Sequence, residues 1–233
     1  MKNNLYIIKN NFLNNLKIKN FYNKKYNNIN IINNNLYNKF IIKIKKFFFF
    51  KSFVELKTPQ IEQYFYNFKL LNILKKDNGS FYLQNKILRT HTSCFQNRFL
   101  KNYFVKNNYF NLGKVYRNDL DSTHLICFYQ LDFFIYNYKI KNVLNLLLNF
   151  FSFFIKKKFF FKIRKTKFPF TINSFEIDLF NNFEWLELAG FGETNINILL
   201  NNKINYKTIA GGIGVDRLFF YIKKLKTIKK VYD

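Results

Sequence analysis

The stretch from Gly113 to Asp132, Gly-Lys-Val-Tyr-Arg-Asn-Asp-Leu-Asp-Ser-Thr-His-Leu-Ile-Cys-Phe-Tyr-Gln-Leu-Asp, constrains the fold more than any other part of this 233-residue chain. Gly113 to Arg117 reads as one strand and Phe128 to Tyr136 as another, joined as a hairpin through a long polar loop that carries Asp119, Asp121 and His124. Side chains alternate across a strand, so Phe128, Gln130 and Asp132 fall on one face. An aromatic plane, an amide and a carboxylate on one face suit a single small ligand. A surface hairpin with a salt bridge accounts for any one of these residues alone, but poorly for the whole set.

Around this hairpin the pattern predicts further strands at Phe175 to Leu179 and Trp185 to Ala189. It predicts helices over Leu36 to Phe53, Lys141 to Phe154 and Gly214 to Lys224, the last opening after a glycine turn. Pro59 ends the regular element that precedes it. Strands in series with helices set to one side argue for an α+β domain, an antiparallel sheet flanked by helices, rather than alternating βαβ units. The most apolar run, Val143 to Ile155, is broken by asparagines and shorter than the roughly 20 residues a membrane helix needs. Two distant cysteines and no signal peptide point to a reducing, intracellular setting.

Residues 1–50 contain no Asp, Glu, Arg, Gly, Ala, Ser or Thr, and all 13 acidic residues follow them. Residues 1–35 are therefore read as an Asn/Lys-rich leader and 36–233 as the folded domain. The leader is open to three readings: a disordered basic arm, a degraded helical arm or a targeting segment. A net charge of +26 ordinarily marks a polyanion partner. Here 33 Phe, seven Gly and two Pro indicate a codon bias toward Lys, Asn, Ile and Phe, so part of that charge is background.

The same bias makes Arg and Gly informative. The arginines are Arg89, Arg98, Arg117, Arg164 and Arg217, and a planar guanidinium grips phosphate in a way lysine does not. Five of the seven glycines fall in two clusters, Gly190/Gly192 and Gly211/Gly212/Gly214.

Three further segments carry chemistry. Leu88-Arg-Thr-His-Thr-Ser-Cys-Phe-Gln96 offers His91, Ser93 and Gln96 as compact donors and acceptors. Phe168-Pro-Phe-Thr sets two rings about a proline, able to meet a third aromatic ring. Ala210-Gly-Gly-Ile-Gly-Val-Asp-Arg217 brings backbone close to a ligand and puts Arg217 at a helix start, where anions are favoured. His91/Cys94 and His124/Cys127 also share a spacing that could build a zinc centre, a reading the roles below disfavour.

In this order the segments resemble the class II aminoacyl-tRNA synthetases, in the form of the phenylalanyl-tRNA synthetase alpha subunits. Gly113–Asp132 resembles the motif RVYRxDxDxTHxxxFHQxEG at Val115, Tyr116, Arg117, Asp119, Asp121, Thr123, His124, Phe128 and Gln130. Leu88–Gln96 resembles LLRTHTSxxQ, Phe168–Thr171 resembles FPFTxP, and Ala210–Arg217 resembles GFAFGxGxxR. The resemblance covers about Leu36 to Asp233.

It implies a magnesium-dependent, ATP-driven ligation of phenylalanine to tRNA(Phe) through a phenylalanyl-adenylate. Arg117 and Arg217 would be the catalytic residues, and Arg117, Asp119, His124, Phe128 and Arg217 would contact ATP. His91, Ser93, Gln96, Gln130, Asp132, Phe168, Phe170, Ala210 and Gly212 would bind phenylalanine, with Ala210 setting the depth of the pocket.

It further implies two alpha chains paired to two beta subunits, since the single-chain form carries an anticodon-binding extension; the codon bias points to the cytoplasm of an AT-rich bacterium, with an organelle of an AT-rich eukaryote as the alternative. Departures stand out: Asp132 replaces a family Glu, Tyr129 a His, and Gly211 a Phe, the last expected to loosen the pocket wall. The competing reading is an impaired synthetase-like RNA-binding protein.

Overall fold

The computed structural model describes residues 6–8, 36–73, 79–103, 107–118 and 125–232. An eight-stranded sheet runs through the centre of the domain in the order β1-β2-β6-β7-β11-β10-β9-β8. Its strands are β1 (Tyr6–Ile8), β2 (Phe53–Lys57), β6 (Asn108–Tyr116), β7 (Cys127–Tyr136), β8 (Phe161–Phe168), β9 (Thr171–Phe180), β10 (Trp185–Thr194) and β11 (Thr208–Gly214). Every neighbouring pair is antiparallel except β2 and β6, which run parallel. Three residues of the expected leader thus supply an edge strand. A smaller antiparallel sheet of β3 (Ile61–Gln63), β5 (Lys86–Leu88) and β4 (Tyr82–Leu83) lies beside it.

One face of the large sheet is covered by α1 (Leu36–Phe50), α4 (Ile140–Ile155) and α6 (Val215–Lys223). Helix α1 buries Tyr37, Phe40, Ile44, Phe47 and Phe48, and α4 buries Val143, Leu147, Phe150 and Phe151, spacings that line one side of each helix. Leu131, Phe133 and Ile135 of β7 meet them from the sheet. Phenylalanine is the commonest residue in this core. Rings meet edge-on, as Phe48 and Phe53 do at 5.1 Å and 87°, and Phe47 and Phe150 at 5.1 Å and 76°. Burying each such side chain contributes about 1.5–3 kcal/mol. No helix among the described residues is long and apolar enough to cross a membrane.

The other face carries a second, smaller cluster around Val54, Leu56, Phe95, Phe134 and Ala210, capped by α3 (Phe95–Tyr103) and α5 (Ile196–Asn201), the latter through Leu199. The short α2 (Tyr64–Asn67) follows β3 of the small sheet directly. Beyond this cluster the same face is open, and there the alternation of β7 aims Phe128, Gln130 and Asp132.

One expectation changes, and one long strand appears where no element was expected. The glycines at 211, 212 and 214 form no turn; Gly211 and Gly212 lie extended in β11 between β7 and β10, and Gly214 ends that strand opposite Gln130 of β7. The run Phe161–Phe168, in which lysines hide the alternation, is a strand. The hairpin itself stands as read, with Val115 opposite Phe128 and Gly113 opposite Gln130.

Candidate active site

A cavity of about 390 Å³ opens on the uncovered face. Its polar end is built from β7 and the loop after β5. Asp132 is fully buried; it accepts Ser93 Oγ at 2.6 Å and Gln130 Nε2 at 2.7 Å, one on each carboxylate oxygen. Burial raises its pKa above the usual carboxylate range, and the hydrogen bonds from Ser93 and Gln130 oppose that rise.

Arg117, just past the end of β6, donates from Nε to the Thr90 carbonyl at 2.9 Å and from Nη2 to Gln130 Oε1 at 3.2 Å. Its guanidinium lies 5.2 Å from the centre of the Phe128 ring. Hairpin register thus converts a sequence alternation into a chain of contacts, from Phe128 through Arg117 and Gln130 to Asp132.

The loop that presents His91 and Ser93 is held by Arg89, a residue sequence reasoning left without a role. Arg89 donates to the carbonyls of Lys114 at 2.7 Å and Thr58 at 3.0 Å, and to Thr58 Oγ1 at 2.8 Å. Its own carbonyl accepts Tyr116 N–H at 2.9 Å, which fastens the loop to β6. His91 lines the cavity with neither ring nitrogen hydrogen-bonded among the described residues. Burial first, then the positive charge of Arg117, drives its pKa down to about 3, so the imidazole is neutral.

The apolar end lies across β8, β9 and β10. Phe168 closes β8 and Phe170 follows Pro169; the two rings stack at 5.6 Å and 9°. The Phe168 ring rests on the backbone of Gly190, where a Cβ would stand 2.7 Å from Cζ. Glycine at 190 is what lets this ring reach the cavity.

At the third side Arg217, in the first turn of α6, donates from Nη1 to the Glu187 carbonyl at 3.2 Å and lies 3.8 Å from Glu187 Oε2. That ion pair is partly exposed, so it holds the guanidinium only loosely. Burial raises the Glu187 pKa, and Arg217 opposes the rise.

Of the residues expected from sequence, His91, Ser93, Arg117, Phe128, Gln130, Asp132, Phe168, Phe170, Gly212 and Arg217 line this one cavity. Gln96 and Ala210 do not line it. Gln96 is buried in the first turn of α3, and Ala210 packs in the smaller cluster beside Phe134 and Phe95, behind the wall. Asp119 and His124 lie outside the described residues. Glu187 and Asp216 line the cavity and went unread; scarcity of acids, 13 in the whole chain, was the available signal.

Gly211 does not loosen the wall. A Cβ there would meet Phe133 Cζ at 2.4 Å, the Gly190 carbonyl at 2.7 Å and Phe191 Cβ at 2.7 Å, so neighbouring groups already fill the space.

An antiparallel-centred sheet with two arginines, an aromatic face and a buried carboxylate around one open cavity defines an α+β domain with a built ligand site. A family model described as "tRNA synthetases class II core domain (F)" matches residues 20–233, and the chain belongs to that family.

Within it, the chain is 34% identical over 205 residues to the phenylalanine--tRNA ligase alpha subunit of Buchnera aphidicola subsp. Baizongia pistaciae (strain Bp), covering 83% of this chain and 62% of that one. It is 35% identical over 189 residues to the protein of the same name from Coxiella burnetii (strain RSA 493 / Nine Mile phase I), covering 76% and 58%. The corresponding Wigglesworthia glossinidia brevipalpis protein is 33% identical over 200 residues, covering 81% and 60%. The chain spans about three fifths of the length of these relatives.

Proposed function

We propose that this chain is the catalytic alpha chain of a phenylalanine--tRNA ligase, with a catalytic domain over 36–233 preceded by an Asn/Lys-rich leader. It activates phenylalanine with ATP and passes the phenylalanyl group to tRNA(Phe), working in the cytoplasm of an AT-rich bacterium with a beta subunit as partner. The observation that carries this reading is one cavity with an anchored carboxylate at one end, a pair of stacked phenyl rings at another and a guanidinium on each remaining side.

Asp132, held by Ser93 and Gln130, suits the amino acid's ammonium group, and neutral His91 lines the same cavity. Phe168 and Phe170 suit a third phenyl ring, and aromatic pairs of this kind contribute about 0.5–1.5 kcal/mol beyond area burial. A tyrosine hydroxyl in such a pocket would be buried without a partner, at a cost of about 1–3 kcal/mol.

The phenylalanine carboxylate then attacks the α-phosphorus and pyrophosphate leaves. The chain's part in this step is to place the reactants and stabilise charge. Arg117, already braced by Thr90 and Gln130, sits against the α-phosphate, with Phe128 beneath adenine. Arg217 leaves its loose contact with Glu187 to take the γ-phosphate.

Among the described residues no three His, Cys, Asp or Glu side chains converge as a metal cage. Magnesium is usually bound through one or two carboxylates together with substrate phosphates, and Glu187, which lines the cavity beside Arg217, would be the carboxylate that reaches it. When bound, magnesium would neutralise charge on the triphosphate.

The test is phenylalanine-dependent exchange of pyrophosphate into ATP, using the full chain co-expressed with its partner. Exchange with phenylalanine and none with the other amino acids is expected. Tight tRNA binding with no exchange would overturn the enzyme reading in favour of an RNA-binding protein.

A further inference from the structure

Asp216 is where four separate pieces of the chain meet. Its carboxylate is buried in the wall of the cavity, in the first turn of α6 and one residue before Arg217. The Tyr37 hydroxyl, at the start of α1, donates to Oδ1. The Tyr232 hydroxyl, beyond the 3-10 turn Ile228–Val231, donates to Oδ2. The backbone N–H of Tyr129 on β7 donates to Oδ1 at 3.2 Å.

The rings reinforce this arrangement. That of Tyr37 lies 5.2 Å from Tyr232, 5.7 Å from Tyr129 and 5.0 Å from Phe219 of α6. Helix α6 has no side-chain cap at Gly214, so Asp216 is the anion in its first turn, where free N–H groups and the helix dipole favour negative charge.

A buried carboxylate tied from three directions cannot shift without breaking hydrogen bonds to several elements at once. It therefore fixes where α6 begins relative to β7, and with it the side chain that follows. We propose that Asp216 is a positioning residue: gripped by Tyr37, Tyr232 and the Tyr129 backbone, it locks the start of α6 so that Arg217 faces the triphosphate. This rests on the reading of the cavity as the ATP site.

Tyr37→Phe and Tyr232→Phe each remove one donor and keep the ring. In the exchange assay the double variant is expected to raise the KM for ATP about tenfold, the loss of roughly one well-placed hydrogen bond's worth of positioning. The KM for phenylalanine should stay within about twofold, a split that general loosening of the fold would not produce. In an Arg217→Ala background the same two changes should leave the KM for ATP where Arg217→Ala alone puts it, because they act through Arg217.

An unchanged KM for ATP in the folded double variant, or effects that add to Arg217→Ala, overturns the proposal. Should the double variant not fold, the single variants decide, each expected to weaken ATP about threefold. If the parent shows no exchange, the functional reading fails by itself. Calorimetric titration of ATP onto parent and variants then reads the proposal alone: the same weakening supports it, and equal affinities, or no ATP binding by the parent, overturn it.

Discussion

The ring of Phe133 stands where a side chain at Gly211 would have to go: the two residues face each other across β7 and β11, and a Cβ on Gly211 would lie 2.4 Å from Phe133 Cζ. The family patterns place Gly after the acid at 132 and Phe at 211, so large and small have changed places between neighbouring strands. Gly211→Phe alone should overpack the site and cost about 1–3 kcal/mol or more. Phe133→Gly alone should leave a hole in the phenylalanine core and cost about 3–5 kcal/mol. The double change should be far less damaging than the sum, and urea unfolding of all four proteins would measure that coupling. A double variant as unstable as the sum would mean that the strands do not exchange this volume.

Arg117 is half-buried and lines the cavity, donating to the Thr90 carbonyl and to Gln130, and it belongs to neither hydrophobic cluster. Arg117→Ala should therefore leave the fold intact by circular dichroism while exchange falls by about 10²–10³, the usual loss when one donor to developing charge is removed. Retained exchange would refute the role assigned to it.

Gly190→Ala should act through Phe168. The new methyl would lie 2.7 Å from Cζ of that ring, which must tilt away from the cavity and from its stacked neighbour Phe170. The KM for phenylalanine should rise about tenfold, in line with the 1–3 kcal/mol that a methylene-scale change in an apolar pocket carries. The KM for ATP should hold, and a matching rise there would place Phe168 outside the amino acid's pocket.

His91 predicts a pH dependence of stability. Its pKa falls from an ordinary 6.5 to about 3 in the folded chain, first through burial and then through Arg117. Between those values the unfolded chain binds more protons than the folded one, so this residue's contribution is fully present above pH 6.5 and is lost as pH falls toward 3. At most about 1.4 kcal/mol is lost per pH unit. Asp216, raised to about 6 chiefly by burial, works with the opposite sign, so His91→Asn must be compared with the parent rather than read alone. The variant should lose less stability than the parent between pH 6.5 and 5; identical slopes would mean the imidazole is not buried neutral.

Legibility varied with how much local pattern each element carried. Helices α1 and α4 could be read because apolar residues recur along one side, and β7 because polar and apolar residues alternate with few lysines. Strand β8 was hidden by Lys162, Lys165 and Lys167, common residues in this chain that carry little positional information. The glycines of β11 suggested a turn because glycine usually marks one, yet here Gly211 serves the close approach of Phe133 and Phe191.

What the sequence by itself determined is the hairpin, the face shared by Phe128, Gln130 and Asp132, and the set of segments that carry the chemistry. All of these follow from spacing within a few residues. Only the tertiary structure decided which residues share the cavity. Ala210 and Gly212 alternate to the same face of β11, yet one packs under Phe134 and Phe95 while the other borders Asp132. Glu187 and Asp216 enter because β10 and α6 converge there. Strand register and helix packing set those neighbours over long separations in sequence, and no local periodicity encodes them.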